Sequence, residues 1–227
     1  MPPVLSEDEV VNRPAQLLDL LGTKSDNAAM SLKDKLNGHL LQAPPGAGSK
    51  DPISINELIQ VDPTVSNARL GSQGNLAAAN VFWRNQTLNG GPFSVADMNT
   101  MYNRCSDGSD PVRFYLASQT IYEYYENSQV GQIRYGDSRL AGAGFESLMY
   151  KQKPMIWDAN MTITDRLFYL NTAYFKLVLM VGADFITTPF VTPENQVAKV
   201  AKILWMGNLI CDNRRRCGVI HTITAPA

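Results

Sequence analysis

Residues 14–41 carry the feature that most limits how this chain can fold, because one helical period runs through the whole segment. Pro14 suits a first helical position, since its φ is fixed and it has no amide hydrogen to leave unbonded. At ~1.5 Å per residue the predicted helix is roughly 40 Å long, and Gly22 and Gly38 weaken it, so packing against the rest of the chain must hold it. Its apolar face recurs at three- and four-residue multiples: Leu17, Leu21, Ala28, Leu32, Leu36 and Leu40.

The balance of charge and the cysteine content exclude several classes of protein. The 227 residues include 20 Lys and Arg against 21 Asp and Glu, a net charge of -1, so no overall field attracts the chain to nucleic acid or to an anionic membrane. No stretch reaches the roughly 18–20 apolar residues of a membrane span, and the first residues lack the order of a signal peptide. Three cysteines are too few for a disulfide framework. We therefore predict a soluble protein of a reducing compartment with no membrane partner.

The rest of the chain alternates helical and strand patterns. Ser94 is a good N-cap for a helix of about 12 residues from Val95, after which "VRFYLAS" predicts a buried strand and "SQTIYEYYENSQ" a second amphipathic helix. Further strands are predicted at "FESLMY", "PMIWD", "LFYLN" and "AYFKLVLM", the last two joined as a hairpin through Asn171 and Thr172. In residues 196–210 the helical and strand periods compete. The mixture predicts an α+β fold.

Patterns typical of catalysis or ligand binding are weak. "QAPPGAGSKD" differs from a phosphate-binding loop in its spacing, in following a helix and in carrying Asp51 where a hydroxyl residue belongs. His39 and His221 have no Ser-His-Asp order or G-x-S-x-G elbow near them, and Cys211, Cys217 and His221 supply three soft ligands where a structural zinc site needs four. Solvated or packed surfaces explain the other candidates: Glu123, Glu126, Tyr122, Tyr124 and Tyr125. The sequence predicts no enzyme, no metal and no cofactor.

The segment "GNLICDNRRRCGV", residues 207–219, places three arginines between two cysteines. It could be a nucleic-acid patch, a metal clip or a stretch where the backbone crosses solvent. Interpreted as a strand, it places Arg215 opposite to Arg214 and Arg216, so the three cannot follow one phosphate track. We expect at least one of them to pair with an acidic group of its own or a neighbouring subunit.

Five segments, taken in chain order, carry a resemblance that none of them carries alone. They are "RPAQLLDLLGTKSDNAAMSLKDKLNGHLL", "NVFWRN", "GDSRLAGAGFESLMYKQKPMIWD", "LFYLN" and "NQVAKVAKILWMGNLICDNRRRCGVIHTI". In this order they resemble the tailed-bacteriophage major capsid protein family with the Hong Kong 97-type fold, over nearly the whole chain.

The resemblance implies an α+β Hong Kong 97-like capsid fold with a long spine helix, long peripheral β-strands and a mixed α/β axial domain. It places the peripheral domain at residues 1–80 and 190–215, with the spine helix at 14–41, and the axial domain at 81–189 and 216–227. On this basis residues 196–210 are expected to be strand. The implied function is a major capsid protein subunit, whose pentamers and hexamers form an icosahedral shell around double-stranded DNA without sequence-specific binding. The implied location is the virion, assembled in the host bacterial cytoplasm.

Two alternatives stay open. One is an encapsulin-like nanocompartment shell subunit with the same fold, and the other is an α+β enzyme, for which the sequence shows no set of catalytic residues. Resembling proteins carry an N-terminal arm and an extended loop ahead of the spine helix. Here about a dozen residues precede Pro14, so we expect either a fragment or a renumbered or naturally shortened form. The candidate subunit contacts are the charged face of the spine helix and the arginine run: Asp19, Asp26, Lys33, Arg214, Arg215 and Arg216.

Overall fold

The computed structural model describes residues 14–43, 49–64, 80–133, 148–192, 194 and 200–226. Side chains are described from Thr23 onward in the first helix and as far as Gln129 in the last. The chain divides into two compact units, Met1–Asn37 with Leu179–Gly207, and Gly38–Val178 with Asn208–Ala227. None of the helices in the described ranges is long and apolar enough to cross a membrane.

The helices and strands are numbered in chain order. The helices are α1 (Pro14–Leu41), α2 (Ile55–Leu58), α3 (Val95–Cys105) and α4 (Gln119–Ile133), and 3-10 helices lie at Val81–Trp83, Thr172–Tyr174 and Arg214–Arg216. The strands are β1 (Gln86–Pro92), β2 (Phe114–Ala117), β3 (Met149–Tyr150), β4 (Lys153–Trp157), β5 (Leu167–Leu170), β6 (Phe175–Leu179), β7 (Ile186–Thr187), β8 (Ile203–Leu204), β9 (Gly207–Cys211) and β10 (Gly218–Thr224).

A six-stranded mixed sheet is the centre of the unit formed by Gly38–Val178 and Asn208–Ala227. Its strand order is β1-β10-β5-β2-β4-β3. β10 runs parallel to β1 and antiparallel to β5, while β2 runs antiparallel to β5 and parallel to β4. The sheet therefore places the last strand of the chain between two strands that precede it by many residues.

Both faces of this sheet are covered, as β5 shows. Leu167 and Tyr169 belong to one buried cluster, and Phe168 and Leu170 belong to another. Successive strand side chains point to opposite faces, so two clusters on alternate residues mean two covered faces. This explains why "LFYL" is apolar at every position rather than alternating.

Helices α3 and α4 contribute to one of these clusters. Spacings of three and four residues put Met98, Met101 and Cys105 on the same side of α3, and all three are buried. Ile121 and Tyr125, four residues apart on α4, are buried in the same cluster. Two short amphipathic helices thus cover one face of the sheet.

The other cluster includes the end of α1 and the short helix α2. Leu41, Leu58 and Ile59 are buried there. A capping box closes the start of α2: the Ser54 hydroxyl accepts from the Glu57 amide at 3.3 Å, and the Glu57 carboxylate accepts from the Ser54 amide at 2.9 Å. The box fixes the loop that follows α1 although both side chains are fully buried.

The second unit contains most of α1 and an antiparallel pairing of β7 with β8. Ile186 lies opposite Leu204, and further along Val191 and Val200 exchange two backbone hydrogen bonds of 3.0 and 2.9 Å. β6 and β9 form a separate two-stranded ladder whose ends fall at the boundaries of the units. The assignment of residues 1–80 and 190–215 to a peripheral domain stays a prediction.

Most predicted elements are confirmed. The long helix runs over Pro14–Leu41, and the helices after Ser94 and Ser118 are α3 and α4. The Ser94 hydroxyl caps α3 as predicted, accepting from the amide two residues on at 3.2 Å. Strands occur within each of the predicted strand segments, as β2, β3, β4, β5 and β6.

The predicted hairpin through Asn171 and Thr172 is wrong. β5 pairs with β10 and β2, whereas β6 pairs with β9. The Asn171 side chain accepts from the Ala173 amide at 3.2 Å and starts a 3-10 helix, while its amide group donates to Asp110 at 2.7 Å. One bond within the turn and one to a residue 61 positions away redirect the chain between the two strands instead of folding one back on the other.

The interpretation of the arginine run as a strand is also wrong, because Arg214–Arg216 form one 3-10 turn between β9 and β10. The expectation that residues 196–210 are strand is confirmed at Ile203–Leu204 and in the part of Gly207–Cys211 that it covers. These strands have two and five residues. Residues 195–199 lie outside the described ranges.

Candidate functional site

The three arginines sit on a single 3-10 turn, and each has different surroundings. β9 ends at Cys211, β10 begins at Gly218, and the Cys217 amide closes the turn by donating to the Arg214 carbonyl at 3.0 Å. With three residues in each turn of a 3-10 helix, three successive side chains point in three directions. Arg214 is accordingly buried, Arg215 exposed and Arg216 intermediate.

Arg214 braces two distant segments of the chain. Its Nη2 group donates to Asn85 Oδ1 at 3.2 Å and to Gln60 Oε1 at 3.3 Å. Asn85 is itself fixed, because its Nδ2 donates to the Gln60 carbonyl at 2.7 Å and its Oδ1 accepts from the Gln60 amide at 3.1 Å. Burial lowers the pKa of Arg214, and the neighbouring cysteine sulfurs act in the opposite direction. A buried cation held by neutral acceptors acts as a structural support.

Arg216 forms an ion pair with Asp107. Its Nη2 lies 2.6 Å from Asp107 Oδ2, and this hydrogen bond raises the pKa of Arg216. The Asp107 side chain is 70% exposed, which limits the strength of the pair. The prediction that at least one arginine pairs with an acidic group of its own or a neighbouring subunit is confirmed within this chain by Arg216 and Asp107.

Asp110 lies near the same turn and orders the chain after β5. Tyr174 donates its hydroxyl to one carboxylate oxygen at 2.5 Å, and Asn171 donates to the other at 2.7 Å. These two bonds, that from Tyr174 first, hold the pKa of Asp110 below its usual value. Asp110 is therefore held by two neutral donors, whereas Asp107 pairs with Arg216.

The candidate contacts on α1 belong to the other unit. Asp26 and Lys33 are exposed, and the Lys33 ammonium lies 5.8 Å from the centre of the Phe185 ring, within cation–π range. The side chain of Asp19 lies outside the described residues. The structure thus brings Arg214, Arg215 and Arg216 together, and it places Asp26 and Lys33 on an exposed helix surface.

The histidines and cysteines have structural partners. His39 Nδ1 lies 3.1 Å from Gln42 Nε2 and 3.7 Å from Asp51, whereas His221 Nδ1 lies 2.9 Å from the Thr222 hydroxyl. All three cysteines are free and buried, and burial raises the pKa of Cys105 to about 12. A hydrogen bond between the thiol groups of Cys211 and Cys217 raises the pKa of Cys217 and lowers that of Cys211. Within the described part of the chain, no three His, Cys, Asp or Glu side chains group to hold a metal ion.

Sequence reasoning missed a concentration of exposed apolar side chains in the chain segment 177–210. Twelve of the nineteen exposed large apolar side chains in the described ranges fall in this segment, so they are concentrated rather than scattered. In residues 201–210 half-buried and exposed positions alternate in the structure, while apolar residues occupy both kinds of position; in the sequence this is visible only as the unbroken apolar run "ILWM", residues 203–206. A strand with one face against its own unit normally presents polar residues on the other.

Comparison with known proteins finds similarity among solved structures. No family model matches the sequence, and no curated protein matches it. Among solved structures, the chain is similar to one titled "Cyanophage A-1(L) capsid asymmetric unit", with a TM-score of 0.64 and 17% sequence identity over 97% of this chain and 75% of that one. The chain has a phage capsid-like fold. The α+β class that the sequence predicts is confirmed with it.

The capsid-like fold gives the exposed apolar surface a context. The matched structure is a capsid asymmetric unit, and the match covers both units of this chain. At 17% identity the likeness is one of fold, so contact residues cannot be carried across from it. Any contact surface has to be argued from the side chains of this chain.

Proposed function

We propose that this chain is the subunit of a major capsid protein with the Hong Kong 97-like arrangement. Copies of it assemble as pentamers and hexamers into the icosahedral head shell that encloses phage DNA. The observation that carries the proposal is the structural likeness to a phage capsid component over 97% of the chain. The proposed location is the virion, after assembly in the host bacterial cytoplasm.

The surface of the chain supports self-assembly. Twelve exposed large apolar side chains fall in residues 177–210. Two of them, Ile186 and Leu204, lie opposite each other on paired strands, and exposed apolar side chains that lie together are typical of protein–protein contact sites. The net charge of -1 lets many copies approach one another without strong mutual repulsion. The same charge fits a shell that encloses DNA without reading its sequence.

The candidate contact residues stay proposals. Asp26, Lys33 and Arg215 have exposed side chains that a neighbouring copy could reach. Arg214 and Arg216 act inside their own chain through Asn85, Gln60 and Asp107, so their influence on a contact would come through the shape of the turn. Asp19 completes the proposed set.

Electron microscopy of the purified protein tests the proposal. We expect closed shells of uniform diameter, with pentameric and hexameric capsomers resolved after averaging. A protein that stays monomeric across concentration, salt and crowding conditions would contradict it. Shells produced in the native host that contain enzyme cargo instead of DNA would point to an encapsulin-like compartment. Bovine serum albumin treated identically controls for concentration artefacts.

A further inference from the structure

The exposed apolar residues of one unit form a ribbon of two antiparallel segments. We call Met180–Val191 with Val200–Met206 the apolar ribbon. At one end the Met180 amide donates to the Met206 carbonyl at 2.9 Å, and in the middle Ile186 lies opposite Leu204. Val191 and Val200 pair at the other end. All of these residues belong to the unit that contains Leu179–Gly207.

The two faces of the apolar ribbon differ in what covers them. On the inner face Ile203 and Trp205 are half-buried, and the Trp205 ring lies 6.4 Å from the ring of Phe185. The residues between and beside them, which point the other way, form the outer face. On the outer face Ile186, Leu204 and Met206 are 45, 38 and 53% exposed, and Met180, which pairs with Met206 at the end of the ribbon, is 61% exposed.

An apolar outer face needs a partner. A ribbon of two strands is marginally stable in water, and exposing methionine, leucine and isoleucine on it adds apolar surface that water disfavours. Val181, at the turn beside Met180, is 99% exposed. The apolar residues whose burial would stabilise the protein are therefore adjacent in the ribbon rather than dispersed over the molecule.

The charges at the two ends of the outer face identify the kind of partner. Asp184 lies beside the turn, and Lys202 lies beyond the Ile186–Leu204 pair, where its backbone amide donates to the Thr188 hydroxyl at 2.9 Å. Both charged side chains are exposed, and neither makes an ion pair with any residue in the ranges described. An acidic end and a basic end flanking an apolar centre make a surface that is complementary to itself after a two-fold rotation.

We infer that the outer face of the apolar ribbon docks on the same face of a second copy of this chain, with Asp184 of each copy against Lys202 of the other. Leu204 and Ile186 lie at the centre of this contact, and the two ion pairs fix its orientation. The inference deepens the proposed function and rests on it, because the likeness to a capsid component is what favours a second copy over an unrelated protein.

Charge reversal with mixing tests the contact. Asp184→Lys and Lys202→Asp are purified separately as full chains, and self-association is measured by sedimentation velocity for each variant, for an equal mixture after dissociation and reassembly, and for the double variant. Each variant alone places like charges across the contact, so we expect its association to weaken by roughly tenfold or more. The mixture restores association, because in each mixed contact the two substituted positions meet with opposite charges and the native Asp184–Lys202 pair remains on the other side.

Matched controls separate this effect from a change in net charge or in folding. Lys50→Asp and Glu126→Lys reverse charges at exposed positions outside the ribbon and should associate as the wild type does. Circular dichroism and thermal unfolding establish that each variant is folded. Leu204→Lys, at the centre of the contact, should weaken association in both the alone and the mixed samples.

The outcomes distinguish this inference from the proposed function. Single variants that associate like the wild type, or a double variant that is restored while the mixture is not, would overturn the contact even if shells form. Rescue by mixing in a protein that forms only dimers would uphold the contact and contradict the capsid function. A wild-type chain that is monomeric at every concentration would overturn both. If a segment of the same chain covers the outer face instead, mixing the two variants will not restore association. That result would overturn the contact as well.

Discussion

At the scale of single residues, neighbouring arginines of one turn should differ greatly in what they contribute to stability. Arg214→Ala removes the donor to the buried Asn85 Oδ1 and to the half-buried Gln60 Oε1, and we expect it to lower the free energy of unfolding by about 1–3 kcal/mol. Arg215→Ala changes an exposed side chain and should stay within about 0.5 kcal/mol of wild type. Urea unfolding followed by circular dichroism measures both. Equal effects of the two substitutions would show that Arg214 does not brace the turn.

The sequence indicated that an arginine of this run would find an acid, but it could not indicate which arginine would be buried. The bond from Arg214 to Asn85 spans 129 residues, and that to Gln60 spans 154. Nothing in the local pattern of "DNRRRC" contains those partners. The local pattern also favoured a strand, in which successive arginine side chains alternate between two faces. In the single 3-10 turn the three side chains point in three directions. The periodicity of the sequence cannot predict the environment of a residue when that environment is formed by distant loops.

At the scale of secondary-structure elements, the packing of β10 against α3 should depend on one glycine. A Cβ atom at Gly218 would lie 2.6 Å from Cys105 Sγ and 2.8 Å from Met101 Sδ, so Gly218→Ala should destabilise the protein by about 1–3 kcal/mol. Gly38→Ala is the matched control, because nothing lies within 4 Å of its Cβ position in α1. We expect this change to stabilise the protein by about 0.5–1 kcal/mol through helix propensity.

Thermal and urea unfolding of the two glycine variants give the comparison. Adding Cys105→Ala to Gly218→Ala removes the nearest sulfur, so the double variant should recover part of the loss beyond what the single changes predict together. If Gly218→Ala were neutral, or if the two glycine substitutions had the same sign, close packing between β10 and α3 would not be the reason for glycine at 218.

Elements with strong local patterns were predictable, and their pairings were not. The ends of α1, the cap of α3 and the positions of β2 and β5 follow from Pro14, Ser94 and runs of apolar residues. The partners of β5 do not, because β10 begins 48 residues after β5 ends and β2 ends 50 residues before β5 begins. The sequence at Asn171 is compatible with a hairpin, because one of the bonds that redirect the chain there is donated to Asp110, 61 residues away. Long-range pairing is decided by burial of both sheet faces.

At the scale of the whole molecule, the order of five weak segments indicated a capsid-like fold where no family model matches. Each segment alone indicates only local structure. Their order along the chain indicates that an early helix and late strands belong to the same fold. The division into units also depends on the order of distant segments, since Met1–Asn37 and Leu179–Gly207 form one unit although more than half of the chain lies between them. The outer face of the apolar ribbon escaped prediction because exposure is a property of the folded molecule.

The apolar ribbon should be the part of the molecule that gains most protection when copies assemble. In the free subunit its backbone belongs to a two-stranded pairing with an exposed outer face, so its amides should exchange with deuterium faster than those of the buried strands β2 and β5. Docking covers the outer face and makes opening costlier, so peptides covering residues 180–191 and 200–206 should slow in exchange by roughly tenfold or more. Hydrogen exchange with mass spectrometry on free and assembled protein measures this, with β2 and β5 as internal references. If protection rose uniformly over the chain, assembly would be stiffening the whole subunit; if it rose elsewhere and left the ribbon unchanged, the ribbon would remain open to solvent in the assembled state and another surface would carry the contact.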